Sequence, residues 1–169
     1  MVTDYHRNIQ RAIIQLGLAN SDKIARIFND KRPMPMTHPT KIVSPIAYYP
    51  DATFETKTGR SYIFEVMDSE ADRQALVVAH VLEAVLGRGV QKVFFVVQRV
   101  RDQNSVEHIA RIVLANLEDL SGGRIGRGIR FYYVVISRRD ARSYERTKAV
   151  VAKALALAQS WRTTRPRIA

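Results

Sequence analysis

The sequence predicts an α/β fold, because helical and strand-like patterns alternate along most of the chain. Two largely apolar runs, residues 90–97 and 129–137, are continuous enough to form strands that are buried on both faces. Helical segments separate these strands, which indicates parallel crossover connections. A hairpin over residues 46–68 adds an antiparallel pair. We therefore expect a mixed four-stranded sheet, a hairpin plus two crossover strands, flanked by helices.

Before the hairpin, the spacing of apolar residues predicts two helices, over residues 4–19 and 21–29. Gly17 and a polar cluster at residues 20–22 mark the break between them. Residues 30–45 contain four prolines, which is typical of an irregular connector inside a domain.

The turn at Lys57-Thr58-Gly59 sets the register of the hairpin. A three-residue loop with glycine in the left-handed conformation pairs Thr56 with Arg60, and counting outward from that pair places Asp51 opposite Glu65. Directly opposed residues share a face of the sheet, with Cβ atoms about 5 Å apart. A two-residue turn would shift the register by one residue and move the two carboxylates to opposite faces.

Three further helices are predicted after the hairpin. Capping-box spacings at residues 69–72 and 104–107 predict the starts of two of them, and each ends at a pair of glycines. Asp140 begins the last helix, and residues 159–169 form a basic tail.

Composition limits the class of protein. At 169 residues and with ordinary hydrophobic content, the chain is predicted to be one domain, residues 1–169. It has no signal-peptide pattern and no apolar run near the ~18 residues of a membrane span, so we expect a cytoplasmic protein without membrane contact. The absence of cysteine excludes disulfides and thiolate zinc sites. The four histidines are too scattered to predict a zinc site: His6, His38, His80 and His108.

Positive charge is concentrated near the carboxyl terminus. Residues 120–169 contain 12 Lys and Arg against 2 Asp and Glu, a net charge of +10, whereas residues 1–119 carry +1. Arginine outnumbers lysine 20 to 7, and its planar guanidinium suits bidentate contact with phosphate. This distribution predicts a partner that is a polyanion, nucleic acid above all. High arginine content also occurs in proteins from thermophilic or GC-rich sources.

Eight basic residues are predicted to contact nucleic acid. They surround the last predicted strand and the start of the last helix: Arg124, Arg127, Arg130, Arg138, Arg139, Arg142, Arg146 and Lys148. The first of them lie in a glycine- and arginine-rich loop over residues 122–128, which suits contact with a phosphate backbone. A run of charges is also typical of a solvated helix face.

The order of elements, with Pro50-Asp51 followed after thirteen residues by Glu65-Val66-Met67, resembles the PD-(D/E)XK nuclease superfamily. That superfamily includes restriction endonucleases and archaeal Holliday-junction resolvases, and the resemblance covers residues 4–137. It implies a restriction-endonuclease-like fold and metal-dependent hydrolysis of phosphodiester bonds in DNA, with Mg²⁺ or Mn²⁺ as the cofactor. Because the resolvases act as pairs, it also makes a homodimer plausible.

The resemblance assigns roles to particular residues. Asp51 and Glu65 match the acids that bind the metal, and the carbonyl of Val66 is a further candidate ligand. Met67 stands where the family has a lysine that positions or deprotonates the attacking water. Arg73 and Gln74, at the start of the following helix, are the candidates to supply that function. Asp51 is also typical of a turn before a strand, and Glu65 of a solvent-facing strand position.

Three functions follow from these features. The first is a metal-dependent DNA endonuclease acting on duplex or branched DNA. The second, motivated by Met67, is an inactive nuclease-fold protein that binds nucleic acid or serves as a subunit of a larger complex. The third is a protein-interaction module that uses the apolar residues of the last helix: Val150, Val151, Leu155 and Leu157.

Overall fold

The computed structural model describes residues 3–29, 49–68, 73–124 and 128–160. Helices and strands alternate along these ranges in the order α1 (Asp4–Ala19), β1 (Ile24–Asn29), β2 (Ala52–Thr56), β3 (Ser61–Val66), α2 (Arg73–Leu86), β4 (Val90–Val97), α3 (Val100–Ser121), β5 (Arg130–Val135), α4 (Arg138–Ala141) and α5 (Tyr144–Ser160).

The strands form one five-stranded sheet in sequence order in the described part of the chain. β2 pairs antiparallel with both β1 and β3, whereas β3, β4 and β5 are mutually parallel. The predicted α/β class and mixed sheet are confirmed. The predicted number of four strands is wrong, because β1 adds a strand outside the hairpin.

Residues 21–29, predicted to be a helix, contain this additional strand. Helix α1 ends in a turn in which the Asn20 side chain donates to the carbonyl of Leu16 at 2.7 Å. The chain then reverses, and Ile27 and Phe28 pair with residues of β2. A helix of nine residues has little stability alone. Here the free backbone edge of β2 offers hydrogen bonds to the β-branched and aromatic residues of the segment, and the strand forms instead.

Helices cover both faces of the sheet. One hydrophobic cluster joins α1 and α5 to one face, and a second joins α2 and α3 to the other. On the first face, an aromatic ladder crosses four strands, from Phe54 through Phe64 and Phe94 to Tyr132, with ring centroids 4.7 to 5.0 Å apart. Neighbouring aromatic residues of this kind stabilise strand pairing beyond the area they bury.

The strand directions bring functional positions to one side of the molecule. One end of the sheet is where β3, β4 and β5 end and β2 begins, and we call this end the carboxyl edge. Helices α1, α3 and α4 begin at this edge, since each runs away from it. Ligands of open α/β sheets bind beyond the carboxyl ends of parallel strands.

Two helix starts differ from the sequence predictions. Helix α3 begins at Val100, so the predicted cap at residues 104–107 lies inside the helix, where the Ser105 hydroxyl bonds to the carbonyl of Arg101. The short helix α4 begins two residues before Asp140, because Ser137 accepts from the Asp140 N–H and caps it. A break at Arg142 separates it from α5.

Other predictions lie outside the described residues. These are the connector at 30–45, the helix cap at 69–72 and most of the basic tail, at 161–169. Within the described ranges, no helix combines the length and the apolar character needed to span a membrane.

The apolar residues of α5 have partners inside the protein. Val151 is buried, and Val150 and Leu155 pack against the cluster shared with α1. The prediction that Val151 faces another protein is therefore wrong, whereas Val150 and Leu155 are only partly buried. Leu157 is exposed.

Gly17 allows α1 to approach the sheet closely. A Cβ atom at this position would lie 2.7 Å from Cε1 of Phe54 and 2.8 Å from Cδ1 of Ile27. Alanine normally favours a helix interior over glycine by about 1 kcal/mol, but overpacking a core costs about 1–3 kcal/mol. We expect Gly17→Ala to lower the free energy of unfolding, measured by urea denaturation. Leu18→Ala, at an exposed neighbouring position, should change it by less than about 0.5 kcal/mol. A more stable Gly17→Ala variant would contradict this packing.

The burial of Tyr133 predicts that the free energy of unfolding falls in alkaline solution. Burial, assisted by the charge of Glu107 and opposed by Arg111, raises the pKa of Tyr133 to about 12. The unfolded side chain titrates near pH 10. Between these values the unfolded chain loses a proton that the native protein keeps, so stability falls as the pH rises. Tyr133→Phe should therefore flatten the plot of unfolding free energy against pH from pH 10 to 12 and leave its slope unchanged below pH 9. Parallel plots over the whole range would refute this origin.

Candidate metal and nucleic-acid site

The β2–β3 turn has the geometry that places Asp51 opposite Glu65. Gly59 has a φ of 74°, in the left-handed region, and the N–H of Thr56 donates to the carbonyl of Arg60 at 2.8 Å. Ala52 pairs with Phe64, so the next pair toward the carboxyl edge is Asp51 with Glu65. The predicted turn and register are confirmed, and Glu65 lies on the face covered by α2.

Asp51 is held by two elements. Its Oδ2 accepts from the Val66 N–H at 2.7 Å, and its Oδ1 lies 3.0 Å from Nε2 of His6 on α1. Its main-chain carbonyl accepts from the side chain of Gln10, one turn farther along α1, at 2.7 Å. The carboxylate is therefore fixed in position while 18% of the side chain stays exposed.

Glu65 is almost fully buried, at 2% exposure, and lies against α2. Its Oε1 is 3.6 Å from Nδ1 of His80, which is also 3.3 Å from Oε2 of Glu83. Burial is the largest influence on the pKa of His80 and lowers it. The close contact with Glu83 and the charges of Glu65, Glu83 and Asp51 together outweigh burial, so the pKa is raised above its ordinary value.

Met67, which stands in place of the lysine, and the two residues predicted to supply its function lie in different surroundings. Met67 is buried in the cluster between the sheet and α2 and α3, and its side chain carries no charge. Gln74 is exposed on α2. Arg73 begins that helix, and its side chain lies outside what the structure describes. The contacts given above place His80, rather than Gln74, beside Glu65.

Neither His6 nor His80 is predicted from the sequence as a site residue. His80 had a detectable signal, because it interrupts the buried stripe of Val77, Val81 and Ala84 on α2. A polar residue in such a stripe needs a partner. His6 had no comparable signal, since its contact with Asp51 joins residues 45 positions apart.

The donor set at the hairpin consists of two carboxylates. Among the described residues, no three or more His, Cys, Asp or Glu side chains form a group suited to hold a metal. Mg²⁺ and Mn²⁺ require fewer protein ligands, since a hard cation binds one or two carboxylates and keeps several waters. The carboxylates of Asp51 and Glu65 are donors of the kind that such an ion prefers.

A hydrogen-bonded chain runs along the carboxyl edge beside this pair. The Thr3 hydroxyl donates to Oδ2 of Asp68 at 2.6 Å, and the Gln98 amide donates to the carbonyl of Asp68 at 2.7 Å. Nε of Arg138 donates to Oε1 of Gln98 at 3.0 Å. These bonds connect α1, the end of β3, the end of β4 and α4.

The predicted nucleic-acid-binding residues lie at two edges of the sheet. Four exposed arginines are at the carboxyl edge: Arg138, Arg139, Arg142 and Arg146. Arg124 and Arg130 are at the opposite edge, where α3 ends and β5 begins. The ammonium of Lys148 lies 5.7 Å from the centre of the Tyr144 ring, in the first part of α5. Arg127 lies outside the described residues.

Two arginines that the sequence analysis did not select extend the basic rim of the carboxyl edge. Arg99 and Arg101 follow β4 directly and are exposed. Their position after a predicted parallel strand was the signal that could have identified them.

No protein-family model, no curated protein sequence and no solved structure matches this chain. Its functional assignment therefore depends on the chemistry of the carboxyl edge.

Proposed function

We propose that this protein is a metal-dependent DNA endonuclease of the PD-(D/E)XK type, which hydrolyses phosphodiester bonds. The observation that carries the proposal is the register of the hairpin, in which Ala52 pairs with Phe64 and the preceding residue, Asp51, accepts from the Val66 N–H beside Glu65. An antiparallel hairpin followed by parallel strands agrees with the restriction-endonuclease-like arrangement that the sequence resembles. The arginines at the same edge supply positive charge for the phosphate backbone.

Each residue of the pair has a defined task in this reaction. A Mg²⁺ or Mn²⁺ ion held by Asp51 and Glu65 would polarise the phosphate and activate a water. The Val66 N–H and His6 fix the orientation of Asp51. Such contacts to a ligand raise the precision of a metal site, because the ligand does not need to reorganise when the ion binds.

His80 compensates for the absence of the lysine by positioning Glu65. Met67 has no proton to donate and no charge, so it can neither orient water nor balance a buried carboxylate. The imidazole of His80 contacts Glu65 from α2 and is itself held by Glu83. A buried carboxylate needs such a polar partner, because burial without one is costly.

An inactive nucleic-acid-binding protein, or a subunit of a larger complex, is the second candidate function. Met67 favours it, because this residue is packed into the apolar cluster beside the carboxylate pair. In that case the arginines bind nucleic acid, and the wild-type protein does not cleave it whichever metal ion is supplied. Binding would still weaken as salt rises, because phosphate contacts release counterions.

Cleavage of labelled duplex, single-stranded and four-way-junction DNA with Mg²⁺ or Mn²⁺ distinguishes the two candidates. The proposed nuclease cuts at least one substrate, and Asp51→Asn/Glu65→Gln lowers the rate at least about 100-fold, since a metal contributes several kcal/mol to the transition state. Glu55→Gln is the matched control, because Glu55 lies in β2 at the far end of the hairpin and pairs with Arg26 at 2.6 Å. Binding without cleavage in either metal would favour the second candidate, and undiminished cleavage by the double variant would exclude this site.

The positioning role of His80 predicts a change in metal dependence. We expect His80→Ala to raise the Mn²⁺ concentration for half-maximal cleavage about tenfold, as loss of a contact to a ligand does in other metal sites. His80→Asn keeps an amide near the place of Nδ1 and should restore part of the affinity. His108→Ala, at an exposed position of α3, is the control. Wild-type metal dependence in His80→Ala would rule out the role.

A further inference from the structure

A cleft of about 450 Å³ opens at the carboxyl edge between α1 and α4. Its walls come from the first two turns of α1 and from the α4 segment, and the lining residues are Thr3, Asp4, Tyr5, Asn8, Arg138, Ala141 and Arg142. The metal-site residues of the hairpin do not line it.

Hydrogen bonds between the two walls of the cleft fix their relative positions. The Tyr5 hydroxyl donates to the carbonyl of Ile136 at 2.8 Å, and the Asn8 amide donates to the carbonyl of Ala141 at 3.1 Å. Both bonds connect α1 to the chain around α4. A site whose walls are fixed in this way binds a ligand without first losing conformational entropy.

Positive charge dominates the lining. Arg138 and Arg142 each contribute a guanidinium, whereas Asp4 is the acidic side chain at the rim and is 91% exposed. The Asp4 carboxylate also pairs with Arg7 at 2.9 Å. A pair of guanidinium groups in a polar cleft suits a phosphate, whose oxygens accept several N–H donors.

Gln98 fixes the orientation of Arg138. This glutamine is buried and is itself bonded to the carbonyl of Asp68, so its Oε1 is a fixed acceptor for Nε of Arg138. A guanidinium has five N–H donors, and the bond to Gln98 uses one. The remaining donors are available for an anion in the cleft without a change in the bond that orients the group.

The cleft and the carboxylate pair lie on opposite flanks of α1. His6 and Gln10 contact Asp51 from one flank, whereas Tyr5 and Asn8 contact the α4 segment from the other. The separation is therefore about one helix diameter, ~10–12 Å. A nucleic-acid strand carries one phosphate on every nucleotide, so phosphates that are near neighbours along one strand can reach both flanks of α1.

We propose that the cleft binds a phosphate of the nucleic-acid strand that reaches Asp51 and Glu65, close along the strand to the phosphate at that pair, with Arg138 and Arg142 as donors. The inference rests on the nucleic-acid-binding part of the proposed function and is independent of cleavage. It makes Arg142 a substrate-positioning residue that sets the path of the strand across the carboxyl edge.

Binding of duplex oligonucleotides in EDTA tests the cleft without any catalytic step. Each oligonucleotide carries one neutral methylphosphonate, and its position is scanned along one strand. In the wild-type protein, one position should weaken binding about tenfold, the value of a charge-assisted hydrogen bond. In Arg142→Ala the same substitution should have no further effect, because the partner of that phosphate is already absent.

Arg139→Ala is the matched control. Arg139 belongs to the same short helix and is exposed, but it does not line the cleft. Its removal deletes the same charge and should weaken binding to every oligonucleotide equally, while the position-specific methylphosphonate effect persists. Equal behaviour of Arg139→Ala and Arg142→Ala would overturn the inference.

A titration with inorganic phosphate, followed by NMR at the Asn8 side-chain amide, separates the sources of the ligand. Chemical-shift changes that disappear in Arg142→Ala, together with the methylphosphonate effect, support a strand phosphate. Chemical-shift changes without the methylphosphonate effect would indicate that the cleft binds a small free phosphate instead of nucleic acid, and would overturn the inference. Strong oligonucleotide binding with neither effect would also overturn it and would leave the proposed function intact. The absence of all nucleic-acid binding would overturn both.

Discussion

The register of the β2–β3 hairpin is the constraint on which the candidate site depends. The left-handed conformation of Gly59 closes a three-residue turn, and this turn sets the register that brings Asp51 to the level of Glu65. A shift of one residue would move Glu65 to the α1 face and separate it from His80, since side chains alternate strictly along a strand. The bond from the Val66 N–H to Asp51 reinforces the same register at the other end of the hairpin. The turn and the carboxylate pair are therefore parts of one structural unit.

Electrostatics explains why the two carboxylates can coexist at a largely buried edge. Each has a histidine within 3.6 Å, His6 for Asp51 and His80 for Glu65, and each histidine belongs to a different helix. Six exposed arginines lie at the same edge of the sheet: Arg99, Arg101, Arg138, Arg139, Arg142 and Arg146. In the proposed function, the positive rim would raise the local concentration of a polyanion, and the carboxylates would hold a divalent cation beside it. Helix α1 lies between the carboxylate pair and the cleft, so its two flanks link both parts of the surface.

The differences between the sequence predictions and the structure have physical causes. The segment at β1 has a helical spacing of apolar residues, yet pairing with the free edge of β2 outweighs that weak local preference. The capping-box pattern at residues 104–107 lies within α3, because Arg99 and the backbone after β4 start the helix earlier. Val150, Val151 and Leu155 of α5 pack in the cluster shared with α1, and a sequence pattern alone cannot distinguish such packing from an exposed interface. For β1 and α5 the local pattern was present, and a contact with a distant segment decided the outcome.

The sequence by itself determined the α/β alternation, the turn at Lys57-Thr58-Gly59 and hence the pairing of Asp51 with Glu65, because these depend on residues within one hairpin or one helix. It also determined that Met67 supplies no charge. Tertiary structure alone decided that β1 joins the sheet, that His6 and His80 meet the carboxylates, and that the predicted basic residues divide between two edges. Those outcomes depend on the packing of α1 and α2 against the sheet and on the direction of α3 and β5. Local periodicity carries no information on which distant segments will meet, whereas burial of the two hydrophobic faces does.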